Sequence, residues 1–220
     1  MSSAATNTLV LATRNRKKLA ELHRILAPRV PVRVLGLDDV PPFAELPETG
    51  ATFADNALIK AREAARQTGL VTVADDSGLA VDALNGMPGV LSARWAGRAA
   101  VTPDGDKLPG ADQANLELLL DQLHDTPDER LTARFVCAVA LITPAGEEIV
   151  REGEMPGRLI RTLRGSNGFG YDPIFVPDGY EQTSGELPPE TKDQISHRGR
   201  ALQALLPDLI TVLSRPEPAR

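Results

Sequence analysis

Two long strand-like stretches constrain this chain more than any other feature. Residues 131–142 and 147–155 flank Pro144-Ala145-Gly146, and two such runs around a turn sequence predict a hairpin of long strands. Ahead of them, short apolar runs alternate with helical patterns. Residues 8–12 and 32–35 read as strands. Residues 17–26 carry Leu19, Leu22, Ile25 and Leu26 at helical spacing. Residues 52–68 read as a helix with Thr52 as N-cap, Asp55 in a capping box, and Ala54, Ala57, Leu58, Ala61, Ala64 and Ala65 on one face. Residues 71–74 read as a buried strand ending at Asp75-Asp76-Ser77-Gly78, followed by a short strand at 79–81. Further on, 97–110 reads as an exposed loop, 111–123 as a helix, 171–176 as a short strand, and 196–213 as a helix interrupted near Pro207. Strand–helix alternation followed by a hairpin predicts an α/β fold with a mixed sheet.

The length of 220 residues fits one domain of two lobes. Residues 1–7 and 214–220 are expected as flexible tails. Aromatics make up only 4% of the chain, so the core must be mostly aliphatic. A net charge of -6 argues against duplex-DNA binding, which needs an extended cationic surface. A small polyanion needs only a local basic pocket and stays allowed. The single cysteine, Cys137, lies in an apolar run and reads as a core thiol; it excludes an intrachain disulfide framework or a multi-cysteine zinc site. The longest apolar run, 135–142, is far short of the about 20 residues that span a bilayer. Residues 1–7 carry no basic segment of a signal peptide, so a cytoplasmic protein without membrane partners is expected.

Five segments could carry chemistry. Thr13-Arg14-Asn15-Arg16-Lys17-Lys18 lies between a strand and a helix start, where unpaired N–H groups and nearby cations attract phosphate oxygens. It equally suits a solvated basic turn, and it is not a Walker loop. Asp75-Asp76-Ser77-Gly78 ends an apolar strand, the place where open α/β sheets bind ligands. Side chains alternate along a strand, so the two carboxylates face different points: one suits a metal or water, the other a structural role. Asp-Ser-Gly is also ordinary turn chemistry. Glu48-Thr49-Gly50 could add a second acid to a metal site, although a solvated loop glutamate is the simpler reading. In residues 165–172, glycines allow close backbone approach, and Phe169 and Tyr171 offer rings for stacking. Lys192, Ser196, His197, Arg198 and Arg200 place cations at a loop-to-helix junction. His197 has no acid partner nearby in sequence, so a catalytic dyad is not supported.

Together these segments resemble the inosine triphosphate pyrophosphatase family, whose members hydrolyse deaminated purine nucleoside triphosphates. The resemblance is carried by LATRNRKKLAEL, PETGATFADNALIKA, VADDSGLAVDALNGMPGVLSARW, GFGYDPIF and ISHRGRAL, in order from Leu11 to Leu202. It implies an elongated two-lobed α/β fold with the active site in the cleft, and a homodimer. It also implies that residues 13–18 bind the triphosphate, with Asn15 and Lys18 central. Asp76 is implied as proton acceptor and Mg²⁺ ligand, Glu48 as a second Mg²⁺ ligand, and Ser77 as a substrate contact. Phe169, Gly170, Tyr171 and Asp172 would bind the base, and Lys192, His197 and Arg198 would complete the substrate site. The chain departs from the family pattern at Asn167, where a small residue is expected and Asn would tolerate a left-handed backbone. It departs again at Ser184-Gly185, and in the length of the 97–110 loop. Two alternatives remain at this stage: a Maf-like pyrophosphatase for other modified nucleotides, which the Ser-His-Arg-Gly segment disfavours, and a non-catalytic nucleotide sensor, which has no need of Glu48 and the paired aspartates.

Overall fold

The computed structural model describes residues 7–26, 29, 32–102 and 107–215; the side chains of Asn7, Lys17 and Glu21 are not described. Six strands form one mixed sheet in the order β2-β1-β3-β4-β5-β6. The strands are β1 (Asn7–Leu11), β2 (Val32–Leu35), β3 (Val71–Val81), β4 (Thr132–Ile142), β5 (Glu148–Leu159) and β6 (Phe175–Pro177). β1 pairs in parallel with β2 and with β3, with Leu9 opposite Val71. A parallel pair needs a crossover, and α1 (Arg16–Leu26) and α2 (Phe53–Thr68) supply the two. β5 and β6 pair antiparallel. The remaining helices are α3 (Ala111–Gln122), α4 (Pro189–Ile195) and α5 (His197–Leu213). No described helix is long and apolar enough to cross a membrane.

The chain divides into two compact units. The first comprises Met1–Asp76, Ala138–Gly153 and Arg198–Arg220; the second comprises Ser77–Cys137 and Glu154–His197. Each has its own apolar cluster. In the first unit Val10, Leu37 and four alanines of α2 pack with Ala74, Ala138, Ala140 and Ile142. In the second, Leu79, Val81, Leu116, Leu119 and Leu123 pack with Phe135, Met155, Ile174 and Phe175.

Several local expectations are corrected. β3 does not stop at Ala74 but runs unbroken through Asp75-Asp76-Ser77-Gly78 to Val81. Gly78 serves close packing there, not a turn. A Cβ at Gly78 would lie 2.4 Å from Ser92 Oγ and 2.5 Å from Gly89 O, and Ser92 Oγ in turn accepts from the Leu79 N–H at 2.9 Å. The 171–176 segment is a 3₁₀ turn at Asp172–Ile174 followed by the short β6. β5 continues beyond Met155 to Leu159, and α4 was not anticipated. α5 is continuous through Pro207. Asn167 does not have a left-handed backbone; its amide donates to Leu187 O at 3.1 Å. Of the expected tails, residues 1–6 and 216–220 lie outside the described ones, and Asn7 belongs to β1. Within the 97–110 loop, 103–106 also lie outside them, and Val101 and Lys107 form an isolated bridge.

Candidate active site

In the first unit the basic segment turns from β1 into α1. Thr13 Oγ1 accepts from Asn15 N–H at 3.1 Å, and Asn15 Oδ1 accepts from Lys18 N–H at 3.4 Å. Asn15 therefore acts as an N-cap for α1. Arg14 is bound away into the loop that follows β2, donating to Asp38 at 2.7 Å and to Glu45 at 2.7 Å. Arg16 is exposed at the first turn of α1, and the Lys17 side chain lies outside the described residues. Lys18 points to β3, where its ammonium donates to Asp75 Oδ2 at 2.9 Å.

The adjacent aspartates have separate surroundings, as strand alternation requires. Asp75 is buried, and its Oδ2 accepts from both Lys18 Nζ and Arg198 Nε, the latter at 3.0 Å from the start of α5. Burial pushes the Asp75 carboxyl up, but Lys18, Arg198 and Lys60 overcome it and hold the group well below the usual carboxylate range. Asp76 shows the opposite shift. Burial and the neighbouring Glu48 raise its pKa against the pull of Lys60 and Asn56. Asp75 is thus a fixed anion already satisfied by two cations, while Asp76 keeps some affinity for a proton.

Two residues that sequence reasoning missed complete this group, both on α2. Asn56 is fully buried; its Oδ1 accepts from Gly50 N–H at 2.8 Å and its Nδ2 donates to Asp76 Oδ2 at 3.0 Å. Lys60, one turn on, donates to Glu48 Oε1 at 2.7 Å and to Asp76 Oδ1 at 3.3 Å. Burial opposes the Lys60 charge, yet Asp76, Glu48 and Asp75 raise its pKa overall. The available signal was the i, i+4 spacing of Asn56 and Lys60 on a helix that follows directly on Glu48-Thr49-Gly50.

Glu48 and Asp76 each turn one oxygen to the same ammonium. That donor set fits a hard divalent cation, which takes one or two carboxylates and leaves its other positions to phosphate oxygens and water. Among the described residues no three His, Cys, Asp or Glu side chains converge to build a cage from protein alone.

In the second unit the glycine loop leads into Asp172, which is buried. Its Oδ2 accepts from Phe169 N–H at 2.8 Å and from Lys192 Nζ at 2.6 Å. A Cβ at Gly168 would meet that oxygen at 2.0 Å, so the loop is folded tightly over the carboxylate. The Phe169 ring is partly exposed and can stack. The Tyr171 ring cannot: it is buried in the core, with its hydroxyl donating to Ser92 O at 2.9 Å and its pKa raised by burial. His197 is buried, and its ring stacks on Phe135 at 4.9 Å between centroids. Ser77 follows Asp76 on β3.

The chain matches the Ham1 family model over residues 9–208. It is 58% identical over 211 residues to a protein of Nocardia farcinica named dITP/XTP pyrophosphatase, which covers 95% of this chain and 98% of the relative. A crystal structure of a nucleoside-triphosphatase, dITP/XTP pyrophosphatase, from Mycobacterium abscessus is 60% identical, with a TM-score of 0.72 over 91% of this chain and 99% of that one. The structure of a HAM1 protein from Coxiella burnetii is 39% identical, with a TM-score of 0.80 over 94% of this chain and all of the other. Matches of this identity over almost whole chains, with the same α/β fold, show that the chain belongs to the Ham1 family.

Proposed function

We propose that this chain hydrolyses deaminated purine nucleoside triphosphates (ITP, dITP and XTP) to the nucleoside monophosphate and pyrophosphate, as a Mg²⁺-dependent cytoplasmic homodimer. The observation that carries this reading is the division of labour between the paired aspartates. Asp75 is spent on Lys18 and Arg198, which leaves those cations fixed in place to meet a triphosphate. Asp76, with its raised pKa, is the group able to take a proton from water. The water oxygen attacks the α-phosphorus, the bond from that phosphorus to the bridging oxygen of pyrophosphate breaks, and the water proton passes to Asp76. Glu48 and Asp76 would hold the Mg²⁺, which when bound supplies positive charge to the phosphate oxygens. No covalent intermediate is required.

The base is assigned to the 165–172 loop and Lys192. Inosine and xanthosine carry an acceptor at position 6 where adenine carries a donor. Lys192, whose ammonium has three N–H donors and gives one to Asp172, is the donor proposed for that acceptor, and Phe169 offers a face for stacking. Donors left unpaired by adenine can discriminate by up to about 10⁴-fold. A panel of ITP, XTP and dITP against ATP and GTP, read by pyrophosphate release with Mg²⁺ and with EDTA, tests the reading. Turnover of the first three with Mg²⁺ alone is expected, and Asp76→Asn should abolish it while keeping the native melting profile. ITP left intact by the wild-type protein with ample Mg²⁺ would overturn the assignment. Light scattering at twice the chain mass tests the dimer.

A further inference from the structure

We propose that Lys60 is a built-in counter-ion that competes with the divalent cation for Glu48 and Asp76, and so keeps that cation off the protein until a triphosphate draws the ammonium away. The proposal rests on the reading that those two acids hold the metal. Its ground is the geometry of the three side chains. One ammonium accepts the company of two like charges, 2.7 Å from Glu48 Oε1 and 3.3 Å from Asp76 Oδ1. These are oxygens that a cation would need.

Lys18 and Arg198 both lie on Asp75 Oδ2, and the second oxygen of Asp76 takes the neutral amide of Asn56. Lys60 is a cation that bridges Glu48 and Asp76. Its backbone is fixed by α2, whose alanines are buried in the core and whose first turn is capped by Thr52 and Asp55. Four methylenes separate the ammonium from that backbone, and the Lys60 side chain retains 18% exposure.

Charge then sets the order of events. Lys60, Glu48 and Asp76 together carry one net negative charge, a weak attraction for a divalent ion compared with the two charges that the acids alone would present. A triphosphate supplies new oxygens for Lys60, which frees the acids. Cation and nucleotide then favour each other's binding, and by linkage the coupling is reciprocal. A lysine that merely ties the Glu48 loop to β3 predicts the opposite, because its loss would let the two acids drift apart and weaken cation binding.

The deciding measurement uses the full chain without nucleotide and Mn²⁺ as the probe, with free Mn²⁺ counted by electron paramagnetic resonance. Lys60→Met and Lys60→Gln should each bind Mn²⁺ more tightly than wild type by about tenfold or more. The gain should vanish in Lys60→Met combined with Glu48→Gln. Unchanged or weaker binding in the folded variants overturns the proposal, and so does a gain that survives Glu48→Gln. Should Lys60→Met unfold, Lys60→Gln decides alone. The two readings fail separately: a wild-type protein that leaves ITP whole with Mg²⁺ removes the proposed function, whereas one that hydrolyses ITP while Lys60 substitution leaves Mn²⁺ affinity unmoved removes only the counter-ion.

Discussion

Asn56 joins two chain segments through a single buried amide. Its oxygen fixes the backbone at Gly50, two residues past Glu48, and its nitrogen fixes Asp76. Replacing it with Ala would leave the partly buried Gly50 N–H and a carboxylate oxygen of Asp76 each short of a partner. A stability loss of about 1–3 kcal/mol is expected in urea unfolding, with turnover of ITP lower by about 10–100-fold, the usual cost of losing a group that orients a metal ligand, the role proposed for Asp76. Gly50 is equally constrained, since a Cβ there would lie 2.8 Å from the Asn56 oxygen. Asp75 gives a prediction with a pH sign. Its folded pKa is depressed, so its contribution is present above the unfolded value of about 3.9 and is lost as pH falls through the folded value. Asp75→Asn strands two cations, one of them buried, and should cost about 3–5 kcal/mol. That deficit should be constant from neutral pH down to about 4 and narrow only below it; a gap that closes already at neutral pH would remove the depressed carboxylate. At this scale the sequence was only half legible. Acid and basic segments stood out as clusters, but Asn56 and Lys60 lay inside a helix whose alanine face dominated the pattern. Which aspartate has the raised pKa was open from the residues alone, because the difference depends on Lys18 and Arg198, 57 and 123 positions away from Asp75.

Among the elements, those defined by local chemistry were legible and those defined by distant packing were not. The α2 boundaries followed from Thr52, Asp55 and Gly69, and the structure shows the reciprocal capping bonds at 3.1 and 3.0 Å and a left-handed Gly69. β3 failed because Asp-Ser-Gly has strong turn chemistry. What overrides it is tertiary: Lys18 and Arg198 satisfy Asp75, Asn56 and Lys60 satisfy Asp76, and Ser92 packs where Gly78 leaves room. The consequence is functional. Because β3 continues past the pair, the two carboxylates stand on a rigid strand with their neighbours fixed, and their opposite pKa shifts persist. α5 shows the same override at Pro207. The proline removes one helical bond, to the carbonyl of exposed Gln203, which solvent can satisfy. Ala201, Leu202 and Leu205 before it and Leu209 after it are buried, and that continuous face holds the helix together.

For the molecule as a whole, the strand–helix alternation and the mixed sheet followed from the sequence, but the spatial order of the strands and the way the chain is shared between two units did not. The first unit is assembled from three separated segments and the second from two. Their joins fall at Asp76–Ser77, Cys137–Ala138, Gly153–Glu154 and His197–Arg198, and two of these four lie inside candidate site motifs. Apolar periodicity reports which residues are buried but not which distant run buries them. The core of the first unit makes the consequence testable. Residues up to Ala74 supply Val10, Leu37 and the α2 alanines, but Ala138, Ala140 and Ile142 arrive from β4, and α5, with its buried Leu205 and Leu209, belongs to the same unit. A fragment of residues 1–76 retains β1, β2 and β3 up to Asp76, with both crossover helices, yet lacks every one of those partners, and it leaves Asp75 without Arg198. A parallel three-stranded sheet exposed in this way has too little apolar burial to offset the entropy of ordering its chain. The fragment should show no cooperative transition in urea by circular dichroism, whereas the full chain should. A cooperative transition in the isolated fragment would mean that its alanine-rich cluster closes without β4 and α5, and that the first unit is a contiguous domain after all.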